Sequence, residues 1–107
     1  MESRRVVITG LGAITPIGNT VSEFWDALCK GVNGAGPITR FDSSKFKTRI
    51  ACEVKNYDSL QFFDRKEARK LDLYAQFAII ASDEAIQDSK INKDNTDFNE
   101  VGVVFSS

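Results

Sequence analysis

The chain has 107 residues, of which 42% are hydrophobic and 27% are charged, and its 14 basic and 15 acidic side chains nearly cancel. This composition is typical of a globular domain and excludes a collagen or a disordered polar tail. No apolar run reaches the roughly 18 residues of a membrane-spanning helix, and no signal-type stretch is present, so we expect a cytoplasmic protein. There is no histidine, so these residues alone cannot form a Ser-His or Cys-His nucleophile pair or an imidazole metal site.

The first predicted element is a buried strand over residues 4–10, an apolar β-branched run closed by glycine. A loop over residues 10–19 follows. Gly10 and Gly12 match the start of a dinucleotide-binding fingerprint, but Thr15 replaces its third glycine and the next helix begins only after Asn19. We therefore interpret the loop as a tight turn that passes close to neighbouring backbone, and not as a phosphate site.

The next element is a short helix that begins at a capping box, Thr20 with Glu23, and stops at Gly31. Its apolar stripe is Val21, Phe24, Trp25 and Leu28. The glycine-rich residues 31–37 and the basic residues 38–47 are predicted to be irregular. Residues 48–55 alternate in polarity, which predicts a half-exposed strand with Ile50, Cys52 and Val54 on one face.

The longest predicted element is a helix over residues 64–89, with Asp64 and Glu67 as a second capping box. Its middle, residues 77–81, is apolar nearly all round, so we expect it to be buried on more than one side. Asp72 can instead cap a second helix after a short first one, and the sequence does not decide between the two arrangements. A polar connector over 90–100 and an apolar strand over 101–105 complete the prediction.

The two cysteines, Cys29 and Cys52, are 23 positions apart and have no CxxC spacing. A disulfide, a metal pair and a nucleophile are all disfavoured, and we expect two reduced, buried thiols.

Strands at both ends with helices between them predict an α/β unit of the βαβ kind. Such a sheet is covered on both faces, and two or three strands in a chain of this length leave an edge and a face unpaired. We therefore expect the chain to be a piece of something larger.

Charge is distributed unevenly along the chain. Residues 1–39 carry no net charge, residues 40–70 carry +4, and residues 71–107 carry −5. Lys66, Arg69 and Lys70 are spaced three and four residues apart, which places them on one side of a helix, hereafter the cation face. A helix dipole opposes cations at its N-terminus, so the pattern suits an anionic partner, and composition alone leaves an ordinary solvated face equally open. Nucleic acid is disfavoured because the chain is acidic overall and no aromatic residues are interleaved with the cations.

Several separated blocks resemble one family. Residues 5–12 (RVVITGLG) and 15–19 (TPIGN) are similar to the N-terminal signature of β-ketoacyl-[acyl-carrier-protein] synthases, shared with polyketide ketosynthases. Phe41-Asp42, the strand at 47–55 and residues 65–72 (RKEARKLD) resemble the type II synthases of bacterial fatty-acid elongation.

The resemblance implies a thiolase-like fold of α-β-α-β-α layers, with residues 1–107 as the N-terminal part of its first ketosynthase domain. It implies homodimers without metal or cofactor that condense malonyl-carrier protein with a cysteine-bound acyl group. The family's cysteine nucleophile and two histidines would all lie beyond Ser107, so we expect this chain alone to be inactive. The resemblance also implies a docking role for Lys66, Arg69 and Lys70, which align with family positions that contact the acidic recognition helix of acyl carrier protein.

Two alternatives stay open. A polyketide-type ketosynthase or its chain-length partner shares the first signature. A small non-catalytic domain that binds an anion or a nucleotide remains possible if the chain is complete.

Overall fold

The computed structural model describes residues 1–106, in which three α-helices and one small antiparallel ladder are joined by long irregular segments. In chain order the elements are α1 (Val21–Cys29), β1 (Gly36–Pro37), β2 (Ile50–Ala51), a 3₁₀ turn (Ser59–Gln61), α2 (Arg65–Lys70), α3 (Leu73–Ser89) and a second 3₁₀ turn (Phe98–Glu100).

Helix α1 begins where the capping box predicts. The Thr20 hydroxyl accepts a hydrogen bond from the Glu23 N–H (3.2 Å), while the Glu23 carboxylate accepts one from the Asn19 N–H (2.8 Å), one residue before the cap. Gly31, at φ +68°, follows the end of the helix in a left-handed conformation that favours glycine. The predicted apolar stripe is only partly covered, since Trp25 is 63% exposed and the buried residue of the helix is Ala27.

The β ladder corrects two sequence predictions. Gly36 pairs with Ala51 and Pro37 with Ile50, so the glycine-rich segment predicted to be irregular supplies a strand. The strand predicted over 48–55 is reduced to Ile50–Ala51, and Ile50, which lies on its predicted apolar face, is exposed. Proline has no N–H to donate, which suits it to a short, two-stranded ladder with free edges.

The strands predicted over 4–10 and 101–105 are wrong for the part of the chain that the structure describes. Both segments are free of regular structure, and Val6 and Val104 are 89% and 94% exposed. A buried strand needs neighbouring strands to satisfy its N–H and C=O groups, and residues 1–106 place none beside either segment. The βαβ unit is therefore not formed.

The predicted long helix is two helices, as the second arrangement proposed. Leu71 adopts an extended conformation (φ −100°, ψ 127°) between α2 and α3. Asp64 caps α2 by accepting from the N–H groups of Lys66 (2.9 Å) and Glu67 (2.8 Å). Asp72 occupies the N-cap position of α3 without a side-chain hydrogen bond. The apolar middle of α3 is not enclosed, because Ile79 is exposed.

The N-terminal loop lies against α3, which confirms the interpretation of its glycines. A Cβ atom built on Gly10 would overlap the carbonyl oxygen of Ala85, and one on Gly12 would overlap that of Ala81. Carboxylates of α3 also accept backbone N–H groups of the first segment. Asp88 accepts from Leu11 (3.0 Å), and Glu84 accepts from Ala13 (2.9 Å) and from Val21 at the start of α1 (2.9 Å).

Little of the chain is buried among residues 1–106, where only Ala27 and Gln76 are less than one-tenth exposed. The expectation of buried cysteines is wrong, since Cys29 and Cys52 are both exposed, whereas the expectation of free thiols is confirmed. In the described residues, the helices are too short or too polar to cross a membrane.

Candidate functional site

The cation face lies on α2, which has only six residues. Lys66, Arg69 and Lys70 are all exposed, at the spacing of three and four residues that the sequence predicted. Ala68 and Leu71 are half-buried on the opposite side. The short helix therefore presents three cations to solvent from one surface.

The three cations have no internal counter-ion in residues 1–106, where the salt bridge formed is Lys30 with Asp26 (2.6 Å). The nearby carboxylate of Asp64 accepts backbone N–H groups instead. An incoming anion would therefore not have to displace an existing ion pair.

The electrostatic argument from the helix dipole is corrected for two of the three residues. Because α2 ends at Lys70, Arg69 and Lys70 lie in its last turn, where the partial negative charge of the helix end favours cations. Only Lys66, in the first turn, is opposed by the dipole. The case for a partner consequently rests on exposure and the lack of ion pairs.

One buried side chain connects α2 to the rest of the molecule. Gln76 of α3 is 3% exposed, and its amide Nε2 donates to the carbonyl oxygens of Ala68 (3.1 Å) and Leu71 (3.0 Å). Its Oε1 accepts from the hydroxyl of Tyr57 (2.5 Å). These bonds link the C-terminal end of α2, the first turns of α3 and the segment that precedes them.

Tyr57 is held among aromatic rings. It stacks on Phe62 (centroids 6.1 Å apart) and meets Phe77 edge to face (5.0 Å). Burial, with a smaller contribution from the charge of Asp58, raises the pKa of the Tyr57 hydroxyl above its ordinary value. The raised pKa favours the protonated hydroxyl, which donates to Gln76 Oε1.

Sequence reasoning missed Gln76 and Tyr57. The available signal was a single amide side chain in the otherwise apolar stretch around Ala75 and Phe77. A buried polar residue needs partners, so such an amide is a candidate for a tertiary hydrogen bond.

The other candidate chemistries find no site here. The space beside Gly10 and Gly12 is filled by the backbone of α3. No cluster of three metal-ligating side chains occurs within residues 1–106.

A cleft of about 580 Å³ lies between residues 14–20 and 55–62. The Lys55 ammonium group at this cleft donates to the carbonyl oxygens of Gly34 (2.7 Å) and Pro16 (3.2 Å). The ammonium group of Lys55 thus links the loops that contain Pro16 and Gly34 through hydrogen bonds.

Comparison with known proteins identifies the family. A family model described as "Beta-ketoacyl synthase, N-terminal domain" matches residues 3–107. The chain is 50% identical, over all 107 residues, to 3-oxoacyl-[acyl-carrier-protein] synthase 2 of Synechocystis sp., and it spans 26% of that relative's length.

Two solved structures show the same fold. The ishigamide ketosynthase/chain length factor superposes with a TM-score of 0.74 at 36% identity, over 86% of this chain and 23% of that one. A type II polyketide synthase ketosynthase, solved in complex with its acyl-carrier protein, superposes with a TM-score of 0.61 at 22% identity, over 85% of this chain and 23% of that one. The described residues thus have the fold of the beginning of a thiolase-like ketosynthase, and the chain belongs to the β-ketoacyl synthase family.

Proposed function

We propose that the chain is the N-terminal part of the first ketosynthase domain of a 3-oxoacyl-[acyl-carrier-protein] synthase. The complete enzyme would lengthen fatty acyl chains by condensing malonyl-carrier protein, with loss of CO₂, with an acyl group bound to a cysteine. The 50% identity to the Synechocystis enzyme, over every residue of this chain, supports this function. We further propose that the complete enzyme is a cytoplasmic homodimer that needs no cofactor.

The catalytic groups would come from outside these 107 residues. The reaction needs a cysteine nucleophile, two histidines that assist decarboxylation and N–H groups that hold the oxyanion. The chain has no histidine, and neither Cys29 nor Cys52 has one to activate it. The chain alone is expected to have no condensing activity.

The contribution of this segment would be recognition of the carrier protein. The observation that carries this proposal is the exposed cation face of α2, whose three cations lack an ion pair in the described part of the chain. The related ketosynthase solved with its acyl-carrier protein supports a partner of that class. Lys66, Arg69 and Lys70 would bind an acidic helix of acyl carrier protein.

Charge reversal of the cation face tests this role. We expect K66E/R69E/K70E, in a complete synthase that contains this sequence, to raise KM for acyl-carrier-protein substrates about tenfold or more, because three attractive contacts become repulsive. KM for a small acyl thioester should not change. Steady-state kinetics with both substrates measure the difference.

A matched control separates local charge from net charge. K45E/K47E/K93E changes the net charge by the same amount at three exposed lysines that form no ion pair within residues 1–106. It should leave KM for acyl-carrier-protein substrates near the wild-type value. Equal increases of KM for both kinds of substrate in the cation-face variant would rule out the docking role.

A second candidate is a polyketide-type ketosynthase or its chain-length partner, which the 36% identity to the ishigamide protein favours. A chain-length partner lacks the cysteine nucleophile. Condensation of malonyl-carrier protein with a fatty acyl primer by the complete protein would support the fatty-acid enzyme, whereas no covalent acylation would support the chain-length partner.

A further inference from the structure

We infer that Gln76 is a positioning residue for carrier-protein docking: its buried amide holds the break between α2 and α3 and so sets the direction of the cation face. This inference rests on the proposed function. It concerns how the surface is oriented, not which residues touch the partner.

The break needs an explanation, because the local sequence also allows one continuous helix over residues 64–89. In such a helix, the carbonyl oxygens of Ala68 and Leu71 would accept from the N–H groups four residues later, those of Asp72 and Ala75. The extended Leu71 interrupts this pattern. Both carbonyl groups therefore need other donors in the broken arrangement.

The side chain of Gln76 supplies both donors. Its two amide hydrogens serve Ala68 and Leu71, and its oxygen accepts from Tyr57, so a side chain that is 3% exposed has partners on both of its polar atoms. The backbone N–H of Gln76 also donates to the carbonyl oxygen of Asp72 (3.0 Å), in the first turn of α3. The backbone of Gln76 is thus part of α3, while its side chain bonds to the C-terminal end of α2.

The consequence for docking follows from the length of α2. A six-residue helix is too short to be stable in isolation, so its position depends on what anchors it. If the chain straightened, α2 would follow the axis of α3 and the cation face would point elsewhere. Three cations on one helix can contact the acidic groups of a partner together only when that helix has the right direction.

The test replaces the amide without touching the cation face. We expect Gln76→Leu, in a complete synthase that contains this sequence, to raise KM for acyl-carrier-protein substrates about five- to tenfold. The value of kcat and KM for a small acyl thioester should stay at the wild-type level. Gln87→Leu is the matched control, because Gln87 is an exposed glutamine on the same helix whose amide bonds only to Asp83 (2.7 Å).

A milder variant covers the case in which Gln76→Leu does not fold. Tyr57→Phe removes only the hydroxyl that donates to Gln76 Oε1. It should raise KM for acyl-carrier-protein substrates by a smaller factor than Gln76→Leu does. Tyr74→Phe, at an exposed tyrosine, is its control and should have no effect. A Tyr57→Phe enzyme with wild-type KM for acyl-carrier-protein substrates would overturn the inference.

Combining the variants separates positioning from general destabilisation. In the K66E/R69E/K70E background, adding Gln76→Leu should not raise KM further, because the surface that it orients no longer binds. Additive effects, or equal increases of KM for the small thioester, would overturn the inference. If charge reversal alone has no effect, the proposed docking function fails. If charge reversal acts and Gln76→Leu does not, only the role of Gln76 fails.

Discussion

Glu53 joins the segment after β1 to the segment after β2 through one carboxylate. It accepts from the hydroxyl (2.8 Å) and the N–H (3.2 Å) of Thr39 and from the N–H of Arg40 (3.4 Å). The hydrogen bond from the Thr39 hydroxyl is the main cause that holds the pKa of Glu53 below its usual range. The charged form is therefore the one that the fold stabilises.

This shift predicts how stability depends on pH. A carboxyl group with a lower pKa in the folded state stabilises the protein above its unfolded pKa, and this contribution is lost as the pH falls through the folded pKa. We expect Glu53→Gln, in the complete synthase, to lower the urea midpoint at neutral pH. The difference from wild type should shrink as the solution is acidified below the ordinary glutamate pKa.

Asp42 provides the comparison for that measurement. Its pKa is also lowered, chiefly by the backbone N–H of Ser44, within a local turn. Asp42→Asn should therefore leave the pH dependence at Glu53 intact. A Glu53→Gln difference that stays constant from neutral to acidic pH would contradict the assignment.

At the scale of elements, the N-terminal loop packs against α3, and Gly10 and Gly12 allow the two backbones to approach closely. We expect Gly12→Ala to destabilise the complete synthase by about 1–3 kcal/mol or more, because the new methyl group would overlap the carbonyl oxygen of Ala81. Gly102→Ala is the control, since within residues 1–106 no atom beyond the adjoining residues lies within 4 Å of a Cβ built there. Equal urea midpoints for the two variants would show that the loop moves freely away from α3.

The helices were predictable because their signals are local. Thr20 and Asp64 each cap a helix through N–H groups two or three residues away, so their spacing alone locates the two N-termini. The strands over 4–10 and 101–105 were wrong because strand pairing depends on remote segments that a short sequence pattern does not specify.

The candidate site likewise has one feature that local sequence predicts and one that it does not. The cation face follows from spacing within α2 and was predictable. The break before α3 depends on a tertiary hydrogen bond from Gln76, so the sequence allowed either one helix or two.

At the scale of the whole molecule, the chain is more extended than a typical domain of its size. Its radius of gyration is 17.4 Å, with extents of 57 × 37 × 26 Å, whereas a compact domain of this length has a radius of about 13 Å. Large apolar side chains such as Val6, Trp25 and Val104 face outward. The hydrophobic burial that offsets chain entropy is therefore small within these residues.

This shape predicts the behaviour of the isolated segment. We expect a purified peptide of residues 1–107 to lose its structure gradually on heating and to bind a hydrophobic dye, because it lacks an enclosed core. Circular dichroism and dye fluorescence measure the two properties, and the complete synthase is the control. A sharp, cooperative unfolding transition of the isolated segment would contradict this expectation.

The contacts of Glu84 also determine when the N-terminal loop can fold during synthesis of the chain. The Glu84 carboxylate bonds to Ala13 and Val21, which precede it by 71 and 63 residues. Ribosomes add about 5–20 residues per second, so the first N–H of α1 exists for roughly 3–13 s before its partner has been synthesised. During that interval water must bond to this N–H. The loop that follows the apolar residues 6–8 also has no α3 to pack against. The N-terminal loop can therefore attach to α3 only after residue 84 has been synthesised, and faster translation of residues 22–84 would shorten the time in which the unattached loop can aggregate with other nascent chains.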